Sequence, residues 1–107
     1  MRRDVFQAIA DPTRRKILIL LGSSEMTPNE IAEYFNITRQ AVSKHIKILT
    51  ECNLLLQEPS GREIYYRLNA DTIKEVDDWL EPFRFIWEQR FDELDKLLSK
   101  SNNKNKE

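Results

Sequence analysis

Two short capped helices, predicted between Thr27 and Cys52, constrain this chain more than any other feature. The first has a strong start, because Thr27 can cap it, Pro28 suits its first position, and Glu30 falls where a capping box requires an acid. Asn36 tolerates the left-handed conformation that ends helices, so only a short turn separates the first helix from the second. Two helices tied this closely are expected to share a core.

The second helix is predicted to begin after the capping residue Thr38 and to run to about Glu51, and it has two contrasting sides. At about 100° per residue, Val42, Ile46 and Leu49 fall within a narrow arc that should face the core. The opposite side carries polar and basic residues and no acid before Glu51: Arg39, Gln40, Ser43, Lys44 and Lys47. This composition lets a helix approach the negatively charged backbone of DNA.

Each residue type on that polar side has a use in the major groove of DNA. Glutamine can pair with adenine, serine can donate or accept a hydrogen bond, and lysine can reach guanine or a phosphate. Arg39 lies in the first turn, which is the end of a recognition helix that contacts base edges. A charged side of a helix is more often an ordinary solvated surface, so the neighbouring elements decide between the two interpretations.

A hairpin with a basic tip is predicted immediately after the second helix. Residues 54–58 and 63–68 are predicted as strands, because side chains alternate with a period of two in the second of them. Pro59, Gly61 and Arg62 lie in the turn between the strands. A capped helix pair followed by such a hairpin is typical of a winged helix-turn-helix, whose wing residue Arg62 could enter or flank the minor groove.

The predicted fold class is mainly α with a small β-hairpin, a winged helix-turn-helix that dimerises through its terminal helices. A short helix is expected near Val5, and Asp11 should cap the helix that follows it. Residues 1–99 are predicted to form a single domain, including a dimerisation helix over about 70–99, and residues 100–107 a polar, disordered tail. The candidate DNA-contacting residues are Thr38, Arg39, Gln40, Ser43, Lys44, Lys47 and Arg62.

A long apolar stripe distinguishes the terminal helix, where apolar residues recur at steps of three or four. This is more apolar surface than one face of a small domain requires, so we predict that one side packs on the home domain and the other on a second copy. The predicted dimer interface consists of Phe6, Ile73, Val76, Leu80, Phe83, Trp87, Phe91 and Leu94. The alternatives are a purely intrachain core and a ligand pocket lined by Trp79, Phe83 and Trp87. Pro82 should kink this helix or split it near residue 81.

The net charge of −1 does not exclude DNA binding, because the charge is unevenly distributed along the chain. Residues 1–69 contain ten Lys and Arg against eight Asp and Glu, whereas residues 70–107 contain seven against ten. A local basic surface can bind phosphates while the whole molecule stays near neutral. We therefore expect affinity to depend on base contacts and dimer geometry more than on bulk charge.

Three segments together resemble the ArsR family of bacterial winged-helix repressors. They are ADPTRRKILILL, TPNEIAEYFNITRQAVSKHIKIL and EPSGREIYYRLN, and the match covers about residues 4–69 in order and spacing. The segment WLEPFRFIWEQRFDELDKLL resembles a subgroup with aromatic-rich terminal helices. The resemblance implies a homodimer that binds a palindromic operator in double-stranded DNA and usually represses its own operon.

Metal sensing, which many ArsR relatives carry out, lacks its ligands in this chain. One family site uses a cysteine pair on the helix before the recognition helix, and the corresponding segment of this chain, EIAEYFN, contains no cysteine. Another family site uses histidines and acids of the terminal helices, and residues 70–107 contain no histidine. Arsenic, cadmium and zinc need thiolate or imidazole ligands, and the chain has one of each. We expect no metal and no cofactor. His45 is predicted to be a partly buried packing residue, and Cys52 a buried, inert thiol unless an intermolecular disulfide makes it a redox switch.

The leading functional hypothesis is a sequence-specific, homodimeric, metal-independent repressor that regulates its own operon. A single cysteine, no apolar run of roughly 18 residues and no signal-like N-terminus favour a cytoplasmic location without a membrane span. No nucleophile–base cluster or glycine-rich phosphate loop indicates an enzyme. The alternatives are a small-molecule or redox-responsive sensor of the same fold and a winged-helix module that binds protein.

Overall fold

The computed structural model describes residues 4–105, with side chains through residue 100, and confirms the predicted fold class of helices with one small hairpin. The chain divides into two compact units, Met1–Val76 and Asp77–Glu107. The helices are Val5–Ala8 (α1), Pro12–Leu21 (α2), Pro28–Phe35 (α3), Arg39–Glu51 (α4) and Ala70–Asn105 (α5), and the strands are Leu55–Ser60 (β1) and Glu63–Leu68 (β2).

Local capping interactions determine where α2 and α3 begin, as the sequence predicts. The side chain of Asp11 accepts the N–H of Arg14 at 3.0 Å, in the first turn of α2. In α3 the capping box is complete, because the Glu30 N–H donates to Thr27 Oγ1 (3.3 Å) and the Thr27 N–H donates to Glu30 Oε1 (3.1 Å). These bonds satisfy N–H groups that have no partner inside the helix.

The core of the first unit lies where α2, α3 and α4 meet the base of the hairpin. Each fully buried aliphatic side chain contributes about 1.5–3 kcal/mol relative to an exposed one, so these residues are a main source of the stability of the unit. The largest fully buried side chains are those of Ile17, Ile31, Val42, Leu49 and Leu54.

The hairpin is regular from its base to its tip. Leu55 lies opposite Leu68, and Ser60 lies opposite Glu63. Gly61 occupies the turn at φ 64°, a left-handed conformation that glycine enters at little cost. The first strand continues two residues beyond its predicted end and through a proline, which is tolerated because an edge strand has N–H groups with no ladder partner.

A backbone contact that the sequence did not predict ties the hairpin to the helix pair. Met26 forms an isolated antiparallel bridge with Tyr66. The Met26 N–H donates to the Tyr66 carbonyl at 3.1 Å, and the Tyr66 N–H donates to the Met26 carbonyl at 2.9 Å. Because Met26 directly precedes the cap of α3, the bridge holds the base of the hairpin beside the start of that helix.

Helix α5 corrects two predictions about the end of the chain. It continues through Pro82 as one helix, so the alternative in which this proline splits it is wrong. The lost hydrogen bond costs about 3 kcal/mol, and long flanks of good helix formers offset it. The helix also runs to Asn105, whereas residues 100–107 were predicted to be disordered, because no glycine or proline follows Pro82. Residues 106 and 107 lie outside the described part of the chain.

Residues Asp77–Glu107 form the second unit, and its described residues belong to one helix. The single domain predicted over residues 1–99 stays a prediction. Arg84 forms ion pairs there with Asp77 and, at 2.9 Å, with Glu81. The hydrogen bond to Asp77 is the main cause that raises the pKa of the Arg84 guanidinium, so this group stays charged.

We expect Asp11→Ala to lower the free energy of unfolding by about 1 kcal/mol at pH 7, because the Arg14 N–H loses its cap. The same hydrogen bond holds the pKa of the Asp11 carboxyl below its usual value of 3.8. The ionised carboxyl therefore contributes stability above that value, and the contribution is lost as the pH falls through the lowered pKa. Urea unfolding at pH 7 and at strongly acidic pH should show the difference between the two proteins shrinking.

Asp11→Asn is the matched control, because its amide oxygen still caps the helix but does not titrate. It should retain most of the stability at pH 7 and show no acid-dependent loss at this position. Equal unfolding midpoints for wild type and Asp11→Ala at pH 7 would contradict the role of this cap.

Candidate nucleic-acid interface

Burial fixes which side of α4 faces outwards. Val42 and Leu49 are fully buried and Ile46 is 3% exposed, so this side of the helix is held in the core. The predicted polar side then points away from the core, and every one of its members is exposed: Arg39, Gln40, Ser43, Lys44 and Lys47. The structure therefore presents the acid-free side of α4 on the surface, as the periodicity predicts.

The turn before α4 is short because two polar residues shape it. Asn36 adopts the left-handed conformation at φ 50° and ends α3, as predicted. Thr38 caps α4, and its Oγ1 accepts the N–H of Ala41 at 3.1 Å. The oxygen of Thr38 is therefore engaged in the cap, although the residue itself is exposed at the start of the helix.

An open cleft brings together three of the predicted DNA-contacting residues from two elements. Arg39 and Ser43 reach it from α4, and Arg62 reaches it from the tip of the hairpin. Two arginines that line one cleft could bind a phosphate, because arginine presents several N–H donors in one plane. The acid Glu63 lines the same cleft.

The remaining predicted residues lie on the adjoining surface of α4. Gln40, Lys44 and Lys47 share a shallow surface with Arg39 and Ser43, so the structure joins all five in one strip. The strip ends at the exposed Glu51 in the last turn of the helix. The positive residues Arg39, Lys44 and Lys47 all precede this acid, and Arg39 lies in the first turn, the part of a recognition helix that contacts bases.

Asn29 and Tyr66 are among the residues that line the same cleft and that sequence reasoning did not name. Asn29 reaches it from the first turn of α3, and Tyr66 reaches it from β2. Asn29 could have been found from its place in a capped first turn, next to the turn that leads to α4. Tyr66 had no such signal, because only the pairing of Met26 with Tyr66 shows where this strand lies relative to the helices.

An acid next to the wing tip is held by a neighbouring side chain. The Tyr65 hydroxyl donates to Glu63 Oε2 at 3.3 Å. The negative charge of Glu63 is the main cause that raises the pKa of Tyr65, and the hydrogen bond adds to it. Tyr65 therefore stays a protonated donor at neutral pH.

The lone histidine and the lone cysteine take the predicted places in the first unit. His45 is partly buried, with 21% of its side chain exposed, and it faces Arg14 and Asp11 rather than the strip. Cys52 is buried, and its Sγ lies 3.6 Å from the Asp4 carbonyl oxygen. The prediction of a partly buried imidazole and a buried thiol is confirmed.

The predicted dimer residues occupy different environments. Ile73 and Val76 pack against the core of the first unit, so their apolar character is accounted for within one chain. Phe6, on α1, is 39% exposed. Leu80 is half-buried in the second unit. The other four lie in the second unit with a third or more of their surface exposed: Phe83, Trp87, Phe91 and Leu94.

Several residues of the stripe in α5 are exposed on the helix itself. Phe91 and Leu97 are both 65% exposed. Trp79 and Phe83 contact each other, with ring centroids 4.9 Å apart and a tilt of 52°. The exposed part of the stripe is therefore a surface of the second unit, and its role as a dimer interface stays a prediction.

Within residues 4–105, no group of three or more His, Cys, Asp and Glu side chains is placed to hold a metal ion. The prediction that the protein needs no metal stays a prediction. The helices in the described part of the chain include none that is long and apolar enough to span a membrane.

Comparison with known proteins identifies the family. The family model described as bacterial regulatory protein, arsR family, matches residues 11–55. The transcriptional repressor SdpR of Bacillus subtilis (strain 168) is 42% identical over 80 residues, which are 75% of this chain and 89% of SdpR. The chain belongs to the ArsR family. As in the rest of that family, its winged helix-turn-helix is a DNA-binding fold of transcription regulators.

Solved structures agree with this assignment of the ArsR-family protein. An ArsR-like transcriptional regulator from Rhodococcus sp. RHA1 superposes with a TM-score of 0.67 at 31% identity, covering 87% of this chain and 88% of that one. The homodimeric winged helix-turn-helix DNA-binding domain Mb0332 of Mycobacterium bovis superposes with a TM-score of 0.61, covering 73% of this chain and 72% of that one. At 22% identity, the second comparison shows a shared fold alone.

We expect Gln40→Ala and Lys47→Ala to weaken DNA binding in different ways. Gln40→Ala should relax the preference for one base pair by about 1–3 kcal/mol, because a bidentate contact to a base edge is lost. Lys47→Ala should weaken binding to all sequences by similar factors and reduce the salt dependence by about one phosphate contact. Selection from a random duplex library, followed by salt titration of the selected duplex, measures both effects.

Ser43→Ala serves as a second test of base reading and should behave like Gln40→Ala. The roles assigned to α4 are wrong if Lys47→Ala changes the selected sequence while Gln40→Ala leaves it unchanged.

Proposed function

We propose that this ArsR-family protein is a homodimeric repressor that binds a palindromic operator, represses its own operon and needs no metal or cofactor. The observation that carries the proposal is the exposed, acid-free strip of α4 beside a wing arginine in the same cleft. The relative SdpR, a transcriptional repressor, supports the direction of regulation. A regulator of this kind acts in the cytoplasm, where the operator is.

The strip supports an approach to DNA that begins at the start of α4. Arg39 lies at the first position of the helix and Glu51 at the last. DNA phosphates attract the positive charge of Arg39 at the start of α4 and repel the negative charge of Glu51 at its end. The first turns therefore enter the major groove, while the last turn stays nearer the edge of the groove. Arg62 then contacts the backbone beside the groove, and Gln40 and Ser43 contact base edges.

Dimerisation supports the reading of a palindrome. A twofold dimer places two recognition helices about 34–36 Å apart, so each half-site is read once. The exposed aromatic residues of α5 supply the apolar surface that such a dimer buries, and aromatic residues are enriched at interface centres. A redox-responsive alternative has less support, because Cys52 is buried and would have to be exposed before it could form a disulfide with a second chain.

A binding experiment tests regulation and metal independence together. The protein should bind duplex DNA from the region upstream of its own gene, and neither a chelator nor added zinc should change the dissociation constant appreciably. A tenfold change on chelation would contradict metal independence. Binding to protein partners but to no duplex, even at low salt, would favour a protein-interaction module.

We expect Phe91→Lys to dissociate the dimer and to weaken operator binding, because it places a charge in the exposed stripe. Phe85→Lys is the matched control: Phe85 is 61% exposed and Phe91 is 65% exposed, and Phe85 lies about 120° round the helix from Phe91. Sedimentation equilibrium and operator titration should show a dimer that binds for wild type and Phe85→Lys, and a monomer that binds weakly for Phe91→Lys. A dimeric Phe91→Lys protein would exclude this stripe as the interface.

A further inference from the structure

The ring nitrogen Nδ1 of His45, on the recognition helix α4, faces an arginine and a carboxylate, which carry opposite charges. His45 Nδ1 lies 3.5 Å from Arg14 Nη1 and 4.0 Å from Asp11 Oδ2. All three side chains are partly buried in the first unit, which limits how far water screens their interactions. Neither Arg14 nor Asp11 belongs to the DNA-facing strip, although Lys44 and Lys47 of the strip line the same surface pocket as His45.

Arg14 is the fixed member of the cluster. Its Nε donates to the Ala8 carbonyl at 2.6 Å, and its Nη2 donates to the Gln7 carbonyl at 3.2 Å. Both carbonyls lie in the last turn of α1. A guanidinium held by two backbone oxygens cannot move freely, so its contact with His45 links α1 to the recognition helix α4.

Asp11 is the alternative partner. Its carboxylate already caps α2 by accepting the Arg14 N–H through the same oxygen, Oδ2, that faces the imidazole. That hydrogen bond keeps the pKa of Asp11 below its usual value. The carboxylate is therefore ionised at any pH at which a histidine titrates.

A single ring nitrogen cannot satisfy both neighbours at once. When His45 is neutral with its proton on Nε2, Nδ1 is an acceptor and can pair only with the Arg14 N–H. When the ring is protonated, Nδ1 carries a hydrogen, which repels the Arg14 donor and can pair only with Asp11. We propose that His45 is a positioning residue for the recognition helix, bonded to Arg14 when neutral and to Asp11 when protonated.

Charged groups of both helices surround the imidazole. Arg14 from α2 and Lys44 and Lys47 from α4 are positively charged, whereas Asp11 and Glu51 are negatively charged.

The consequence for DNA concerns selectivity, and this step rests on the proposed function. With the ring neutral, α4 is linked through Arg14 to the end of α1; with the ring protonated, it is linked instead to the start of α2. A change of anchor shifts the base-reading side chains more than it shifts the surrounding charge. Selectivity, the ratio of specific to non-specific affinity, should therefore fall at acidic pH by roughly three- to tenfold, the equivalent of one hydrogen bond.

The first experiment measures the proton directly in the wild-type protein without DNA. Nitrogen-15 NMR of the histidine ring distinguishes its two neutral forms. We expect the neutral ring to carry its proton on Nε2, because Nδ1 then accepts the Arg14 N–H. A neutral ring that carries its proton on Nδ1 would overturn the proposal.

The second experiment measures affinity for a selected duplex and for a random duplex at about pH 7.5 and about pH 5.5. Dividing the affinity for the selected duplex by the affinity for the random duplex cancels the general attraction to DNA that an extra positive charge adds to both affinities. Wild-type selectivity should fall at the lower pH. His45→Asn, whose side-chain oxygen lies near the position of Nδ1 and does not titrate, should keep the neutral wild-type selectivity at both values.

His45→Leu is the variant without an acceptor, and it should show the lower selectivity at both pH values. The proposal is overturned if His45→Asn follows the wild-type pH profile, or if His45→Leu matches wild type at pH 7.5. If either variant fails to fold, the ring measurement on wild type still decides the partner exchange. Wild-type protein that prefers no duplex at any pH would contradict the proposed function instead.

Discussion

The rotation of α4 about its own axis is the constraint on which the rest of this protein depends. Burial of Val42, Ile46 and Leu49 leaves the helix one orientation in which its apolar side is covered. Exposing any one of these side chains would forfeit about 1.5–3 kcal/mol, so the orientation is strongly preferred. The polar strip is the other side of the same helix, and its direction follows from the core rather than from any interaction of its own.

Placement of the strip relative to the wing depends on a few backbone interactions. The short turn through Asn36 keeps α3 next to α4, and the bridge between Met26 and Tyr66 keeps the hairpin next to the start of α3. These contacts bring Arg39 and Arg62, which are 23 positions apart in the chain, to one cleft. The cleft that these two arginines line thus arises from elements that are each held by backbone interactions.

Local features of this structure could be predicted from the sequence, and features that join distant segments could not. The caps at Asp11 and Thr27 use residues within one turn, so their pattern can be recognised in the amino-acid sequence. The Met26 bridge and the contact between Arg14 and His45 join residues tens of positions apart, and no local pattern encodes them. Helix α5 was misjudged for another reason: a proline and a polar composition are weak evidence against a helix when its flanks favour one.

Because the strip is exposed, the residues proposed to read DNA are different from the buried residues that hold the fold together. Substitutions at exposed helix positions usually change the free energy of unfolding by less than about 0.5 kcal/mol, so the strip can accept many residue types without loss of the fold. Duplicated copies of such a gene can therefore diverge in the DNA sequence they recognise while their cores stay alike. His45 is an exception on the same helix, because a change there alters the support of the strip and affects every base contact at once.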